Sequence, residues 1–289
     1  LSWQFIGIDT LMEQEDPSIP YLPANDYVSV SLSFSTYANL AAALTAKFPQ
    51  GSPGFREMMG WQPNPAQVQV PLKAGAGQLR AVGRAAGVLA LQNSVQNRIT
   101  KAFSDCQAGG PELMEVSQRL GVTVPPGTPT PSPLTIVVGS MAGGTGAGIM
   151  LDIVDLVRRT HVDGAFPVMV AFTPDIFGNI TTDQMTANSA AFMSELLSAY
   201  WDDENSDAVL VPATVQVGTR GPHSTFVVGR KNMDGLDLDD SKNVYRAVGE
   251  ALAAVTTSAK VQTTFHNFVT VNWAAAAPAN QGGLGWHDS

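Results

Sequence analysis

One glycine-rich stretch, SMAGGTGAGIMLDIV at residues 140–154, constrains the fold more than any other feature of the sequence. It follows the apolar run LTIVVG and leads into a helix-like apolar pattern, so it predicts a strand, a tight turn and a helix in succession. At such a turn, backbone N–H groups can approach a phosphate at the helix N-terminus, and glycine is needed because a Cβ atom would block that approach. The alternative is a tight strand-to-helix turn that binds no ligand.

Apolar strand-like runs alternate with helix-like segments along most of the chain. The strands are predicted at WQFIGID, LTIVVGS, FPVMVAFTP and DAVLVPATVQV. The helices are predicted from the glycine turn at residues 71–77 to about Phe103, and over IMLDIVDLVRR, NSAAFMSELLSAYW and SKNVYRAVGEALAAVTTS, the last with Ser241 as N-cap. In the second of these helices the apolar stripe consists of Ile149, Ile153, Leu156 and Val157. The order predicts an α/β fold, a Rossmann-like and mostly parallel sheet with helices on both faces.

The predicted domain spans residues 1–268. Residues 121–133, GVTVPPGTPTPSP, are too rich in proline for a helix or a central strand and are expected to form an insertion or connector. Residues 269–289 form a tail rich in alanine, glycine and proline. Because the chain starts at Leu1 and is strand-like almost at once, we expect a missing segment upstream.

Charge and cysteine content exclude several classes of function. The formal net charge is −9, so a basic surface that would collect nucleic-acid phosphates is not expected. The single cysteine, Cys106, excludes an internal disulfide framework and fits a reducing compartment, which predicts a cytoplasmic protein. No apolar run reaches the length of about 18 residues that a membrane-spanning helix needs.

The spacing of the glycines separates the families of phosphate-binding loops. The sequence holds no G-x-x-x-x-G-K-[ST] motif, and GGTGAG does not fit the dinucleotide pattern G-x-G-x-x-G with an acid about 20 residues later. The run Ala142, Gly143, Gly144, Thr145, Gly146, Ala147, Gly148 instead resembles the signature of the tubulin and FtsZ family, which binds the phosphates of GTP.

Other segments resemble this family in the same order along the chain. FIGIDTL resembles a strand and loop of FtsZ, which implies that Asp9 and Thr10 face the phosphates and a magnesium ion. GAGQLRAVGRAA resembles the second phosphate loop. The resemblance implies nucleotide contacts from the following residues: Gly75, Ala76 and Gly77 near the terminal phosphate, Pro174 and Asp175 in the ribose loop, and Asn243 against the base.

The resemblance implies a bacterial, cytoskeletal tubulin-like protein that binds GTP or GDP with Mg²⁺. Its expected partner is itself, in a filament or dimer, or a tubulin-like partner subunit. Because only about twenty residues follow the region of resemblance, we do not expect the second domain of the family in this sequence. In the family, an acidic loop after the central helix activates water on the nucleotide of the next subunit. The corresponding stretch here, residues 262–267, has no carboxylate, which predicts weak or absent GTP hydrolysis and leaves the following candidates for any catalysis: Gln262, Thr264, His266 and Asn267.

Two alternatives stay open at the level of the sequence. One is a Rossmann-like domain that binds a dinucleotide or another phosphorylated ligand, and the other is a scaffold whose glycine loops bind nothing. If the chain is tubulin-like, GTP should protect the fold against heat. If it is a dinucleotide-binding domain, NAD should do so instead. If the glycine turn binds phosphate, a β-branched residue in place of Gly144 is expected to abolish binding without unfolding the sheet.

Overall fold

The computed structural model describes residues 3–11, 22–31, 34–52, 55, 60–69, 71–119, 121, 133–160, 167–180, 182–201, 221–232 and 234–268. Five strands occur in this part of the chain: β1 Gly7–Asp9, β2 Tyr27–Ser29, β3 Ile136–Ser140, β4 Val168–Phe172 and β5 Ser224–Val228. They form two parallel sheets, β1-β2 and β3-β4-β5. The carboxyl ends of the strands within each sheet therefore lie at one edge, where α/β proteins place their ligands.

Eight α-helices occur in the described residues: α1 Tyr37–Lys47, α2 Arg80–Ala90, α3 Gln96–Ala108, α4 Gly110–Arg119, α5 Gly144–Thr160, α6 Asp183–Trp201, α7 Ser241–Thr257 and α8 Ala259–Asn267. A π-helical turn, Leu91–Val95, joins α2 to α3, so the predicted long helix is present but wound more loosely at its centre. Short 3-10 turns occur at Ala24–Asp26, Leu72–Ala74 and Pro174–Ile180.

Strand β4 shows why the sequence of a buried parallel strand is apolar throughout. All five of its residues are buried. Met169 and Ala171 pack with residues of α5 and α6, whereas Val170 and Phe172 pack with Val244 of α7. Helices therefore cover both faces of this sheet, as the sequence predicted.

Helix α5 lies between two parts of the core. Its predicted apolar stripe, which includes Ile149 and Val157, packs against the cluster formed largely by α1, α2 and α3. Met150 and Val154 point toward β3, β4 and α6 instead. The helix that follows the glycine-rich turn is thus held from two sides, which fixes the position of its N-terminus.

Helices α2 and α5 approach each other through glycine. A Cβ atom on Gly83 would lie 2.3 Å from the carbonyl oxygen of Gly144, and one on Gly148 would lie 2.7 Å from the carbonyl oxygen of Arg80. A Cβ atom on Gly87 would lie 2.3 Å from Cγ2 of Ile149. Since real Cβ atoms do not come this close to backbone, Gly83 and Gly148 are required for packing alone, and a larger residue at Gly87 would have to displace the side chain of Ile149.

The structure corrects several local predictions. The N-cap of α7 is Asp240, whose side chain accepts a hydrogen bond from the backbone N–H of Asn243, and not Ser241. Strands β2 and β5 and helices α1 and α4 were not predicted. The strand predicted at DAVLVPATVQV, most of the 121–133 insertion and the 269–289 tail fall outside the described residues.

Candidate functional site

Three segments far apart in the sequence meet at one polar junction. The hydroxyl of Thr10, which follows β1, accepts a hydrogen bond of 2.8 Å from the backbone N–H of Ala76 and lies 2.8 Å from the hydroxyl of Thr145. Thr145 donates a hydrogen bond of 2.7 Å to Oδ1 of Asp9, and Gly144 N–H donates one of 2.7 Å to the carbonyl of Gly77. The three predicted phosphate-contacting segments are therefore neighbours in space.

Positive φ angles shape the loop before α2. Gly75 has φ +94° and Gly77 has φ +55°, a region that side-chain-bearing residues rarely adopt. The loop turns there and delivers Ala76, whose side chain is buried, to the hydroxyl of Thr10. Glycine at these two positions follows from backbone conformation, with or without a ligand.

The glycines of the turn before α5 have different structural reasons. A Cβ atom on Gly144 would lie 2.7 Å from the carbonyl oxygen of Gly77 and 2.9 Å from Cβ of Ala76. One on Gly146 would lie 2.5 Å from the carbonyl oxygen of Ser140. A β-branched residue at Gly144 would therefore push the two loops apart, and the expectation that it abolishes binding without unfolding the sheet stays a prediction.

Gly143 is the exception among the four glycines of residues 143–148, all of which the structure describes. A Cβ atom there would meet none of the described atoms within 4 Å, and its φ is not in the left-handed region. Neither packing nor backbone conformation explains glycine at this position. Its open side is where an incoming group could come close to the backbone.

The first turn of α5 can attract an anion. The first four N–H groups of a helix have no partner within it, and the helix dipole adds a partial positive charge at that end. Gly144 is the first residue of the helix, and its N–H is used by Gly77. The arrangement thus places helix-terminal amides directly beside the open Gly143.

Asp9 uses one carboxylate oxygen within the protein. Its Oδ1 accepts hydrogen bonds from Thr145 and from the backbone N–H of Thr10, the latter at 2.6 Å. None of the described residues donates a hydrogen bond to Oδ2. Nor do the described residues contain a group of three or more histidine, cysteine or acidic side chains that could hold a metal. A lone carboxylate with one uncommitted oxygen suits Mg²⁺ that takes its remaining ligands from phosphate and water.

The predicted ribose segment lies at the same edge of the β3-β4-β5 sheet. Pro174 and Asp175 follow β4 and begin the turn Pro174–Ile180. Oδ2 of Asp175 accepts a hydrogen bond of 2.9 Å from the backbone N–H of Arg230, and Oδ1 accepts one from the hydroxyl of Thr173. The carboxylate of Asp175 thus links the end of β4 to the end of β5. A contact with ribose, its predicted role, would have to be made by the same carboxylate.

Asn243 lies in the first turn of α7. Its side-chain amide donates a hydrogen bond of 3.1 Å to the carbonyl of Leu238, and its side chain is exposed. The ring of Tyr245, one half-turn further along, lies 5.0 Å from the ring of Phe172 at the end of β4. This contact brings the start of α7 to the edge where the other predicted residues lie.

Comparison with known proteins decides the family. A family model described as "Tubulin like" matches residues 2–283. The chain belongs to the tubulin-like family. A search of curated proteins and a search of solved structures gave no match. The parallel sheets and flanking helices agree with the Rossmann-type domain that membership in this family implies.

The catalytic candidates of this tubulin-like protein lie on a helix. The segment of residues 262–267, predicted as a loop, belongs to α8, and the hydroxyl of Thr264 bonds back to the carbonyl of Lys260 at 3.0 Å. Gln262 and Asn267 are exposed. The ring of Phe265 stacks 6.0 Å from that of Phe226 in the middle of β5, which places α8 away from the glycine loops of its own chain. The loop prediction is therefore wrong, although the exposed positions remain accessible to another subunit. For His266, only its place in the helix is described.

Charged residues at the start of α2 border the junction on one flank. Arg80 donates a hydrogen bond of 2.8 Å to the carbonyl of Ala147 and forms an ion pair with Glu195 of α6. Arg84 lies 3.4 Å from Glu195 and 3.8 Å from Asp152. Burial raises the pKa of Asp152 to about 6, although the adjacent Arg84 lowers it.

A cleft of about 370 Å³ opens beside these charges. Its lining is drawn from α2, α6 and the segment before α2, and includes Trp61, Leu79, Arg80, Asn188 and Glu195. Neither Asp9 nor Gly143 lines it. The cleft is thus distinct from the predicted phosphate site, and it is reached from the α6 flank of the loops.

Sequence reasoning missed the residues of α6 that support both loops. The side-chain amide of Asn188 donates hydrogen bonds to the carbonyls of Gln78, at 2.8 Å, and Ala142, at 2.9 Å. The hydroxyl of Ser189 lies 3.1 Å from the carbonyl of Met141. A signal was present: Asn188 precedes the buried Phe192 by four residues on the same helix face, and a buried polar side chain needs partners.

No helix within the described part of this tubulin-like chain has both the length and the apolar character needed to cross a membrane.

Proposed function

We propose that this tubulin-like protein binds GTP or GDP with Mg²⁺ and that the nucleotide controls its assembly with itself or with a tubulin-like partner. The observation that carries the proposal is Gly143, whose open side has no explanation within the described fold. Membership in the tubulin-like family supports the choice of a guanine nucleotide over other phosphorylated ligands.

Backbone groups would do most of the phosphate binding. The amides of Gly143, Thr145 and the next residue of α5 would donate to phosphate oxygens, helped by the helix dipole, while Gly144 N–H stays bonded to the carbonyl of Gly77. Gly75 and Gly77 would bring their loop close to the terminal phosphate. The Thr145 hydroxyl would have to exchange its bond to Asp9 for one to phosphate, which makes the Asp9–Thr145 pair part of the binding event.

Asp9 would hold magnesium with its free Oδ2. A bare carboxylate beside a phosphate chain is repulsive, and the cation supplies the charge that removes the repulsion. Oδ1 would meanwhile keep its bond from the Thr10 backbone, so Asp9 would stay oriented toward the phosphates. Chelation should therefore weaken GTP binding more than GDP binding.

Nucleotide would act chiefly by stabilising the assembled form. A ligand that binds only one of two states shifts their equilibrium by mass action. Hydrolysis is expected to be slow, because the exposed end of α8 offers no carboxylate to a neighbouring subunit. Asn267 and Gln262 can orient water but cannot accept its proton as a carboxylate does.

Thermal protection tests the proposal against its alternatives. GTP with Mg²⁺ should raise the melting temperature of the chain, and NAD should not. Calorimetry with GTP and GDP, each with and without chelator, then gives the magnesium dependence. Protection by NAD alone would favour a dinucleotide site, and failure of every nucleotide to bind would favour the scaffold without a ligand.

Phosphate release over a wide range of protein concentration tests the prediction about hydrolysis. Turnover should stay slow and should not rise steeply with concentration. An Asn267→Asp variant should hydrolyse faster than the native chain if the end of α8 completes a neighbour's site. Rapid turnover of the native chain that grows with concentration would contradict the account.

A further inference from the structure

We propose that Asn188 is a positioning residue that sets the spacing between the two glycine loops and thereby the preference for triphosphate over diphosphate. The inference rests on the proposed function, since it concerns the same nucleotide site. Asn188 lies on α6, outside every segment that the sequence assigned to phosphate binding.

The amide of Asn188 is placed between the loops. One carbonyl that it binds belongs to Gln78, the residue after Gly77, and the other to Ala142, the residue before Gly143. The side chain is 3% exposed, so the two N–H groups serve the loops and not solvent. Its Oδ1 accepts a hydrogen bond of 3.1 Å from Nε2 of Gln184, which fixes the orientation of the amide.

A second bond from the same helix region holds Gln78. The hydroxyl of Thr182 donates a hydrogen bond of 2.7 Å to Oε1 of Gln78. The residue that follows the Gly75–Gly77 loop is therefore held at both its backbone and its side chain. The start of α6 thus fixes this loop, and Asn188 ties it to the turn before α5.

The consequence for a ligand follows from which loop each phosphate meets. The turn at Gly143 would contact the inner phosphates, whereas Gly75–Gly77 is expected near the terminal one. If Asn188 is lost, the direct bond from Gly144 N–H to Gly77 remains, but the buried carbonyl of Ala142 and the half-buried carbonyl of Gln78 lose their donor. A triphosphate, which spans both loops, should then lose more affinity than a diphosphate.

Ser189 provides a matched control. It is the next residue on α6, is also buried, and its hydroxyl reaches the carbonyl of Met141 and that of Met185 in its own helix. It therefore supports the turn before α5 without touching the other loop. A Ser189→Ala variant removes a buried hydrogen bond of the same helix but leaves the link between the loops in place.

The experiment compares Asn188→Ala with Ser189→Ala by amide hydrogen exchange and by calorimetry. Without nucleotide, Asn188→Ala should speed exchange in peptides covering both residues 75–80 and 140–148, and Ser189→Ala only in the second. With GTP and GDP as probes, Asn188→Ala should lower the ratio of GTP to GDP affinity about tenfold, and Ser189→Ala should leave the ratio unchanged.

The two arms separate this inference from the proposed function. If the native chain binds neither GTP nor GDP, the proposed function fails, and the exchange pattern still decides whether Asn188 links the loops. Unchanged exchange at residues 75–80 in Asn188→Ala would overturn the inference. The inference would also be overturned if both variants lost GTP affinity and GDP affinity by the same factor, because general destabilisation of α6 would produce that result.

Discussion

Glycine serves two different purposes in two adjoining regions of this molecule. Between α2 and α5, Gly83, Gly87 and Gly148 leave no room for a Cβ atom, because each would strike the facing helix within 2.7 Å. In the turn just before α5, Gly143 faces open space. The same residue type is explained by packing in the first region, whereas neither packing nor a positive φ explains it in the second. A motif of closely spaced glycines is therefore not by itself a measure of how many of them touch the ligand.

The largest expected effect comes from filling the helix interface. Gly83→Val would place a side chain against the carbonyl oxygen of Gly144 and Cα of Thr145, and should lower the free energy of unfolding by about 3 kcal/mol or more. Denaturant unfolding measures the loss.

Gly249 is the matched control for this prediction. It lies on the exposed side of α7, where a Cβ atom would meet none of the described atoms within 4 Å. Gly249→Ala should leave the protein as stable as before or more stable by up to about 1 kcal/mol, since alanine favours the helix. If the Gly83→Val protein were as stable as the native one, the two helices could separate without cost, and packing would not explain the glycines between α2 and α5.

A smaller effect is expected where the two regions are joined. Thr10→Val keeps the shape of a fully buried side chain but removes the hydroxyl that accepts the Ala76 N–H and contacts Thr145. Leaving a buried N–H without an acceptor should lower the free energy of unfolding by about 2 kcal/mol. The loss should be accompanied by faster amide exchange at Ala76. A variant with native stability and native exchange would show that the junction does not hold the loops.

The smallest effect concerns the ion pair at the margin of the helix interface. Because the pKa of Asp152 in the folded protein, about 6, lies above its value in the unfolded chain, the folded state binds the extra proton between about pH 4 and pH 6. Stability contributed by this site is therefore present below about pH 4 and is lost as the pH rises through 6.

Asp152→Asn should consequently raise the free energy of unfolding by about 1 kcal/mol at pH 7.5, after allowing for the lost attraction to Arg84, and should give no gain at pH 4. Unfolding curves at the two pH values measure the difference. A variant that is less stable than the native chain at pH 7.5 would mean that the attraction of Asp152 to Arg84 outweighs the cost of burying its charge.

The sequence predicts those elements whose pattern is complete within one segment. Strands β3 and β4 are continuous apolar runs, and the stripe that includes Ile149 identifies α5. Strand β2 has three residues and β5 mixes serine and threonine with its apolar residues, so neither has a pattern of its own. They are strands because a neighbouring strand offers them hydrogen bonds in register.

The candidate site, like the fold, could be predicted from the sequence only where the signal is local. The glycine spacing locates the turn before α5, and the family resemblance orders the remaining segments along the chain. What each residue contacts is decided by parts of the chain remote in sequence. Asp175 bonds to Arg230, and Asn188 bonds to both loops. The distinction between Gly143 and Gly144 depends on where the Gly75–Gly77 loop lies, which no local pattern states.

The most direct test of the account is the affinity of a Gly143→Val variant for GTP with Mg²⁺, measured by calorimetry beside its unfolding curve. We predict that the variant keeps native stability, because the valine side chain would enter open space. We also predict that its affinity for GTP falls by about a hundredfold or more, because the phosphate could no longer reach the backbone amides. A variant that unfolds as the native chain does and binds GTP with native affinity would contradict the account.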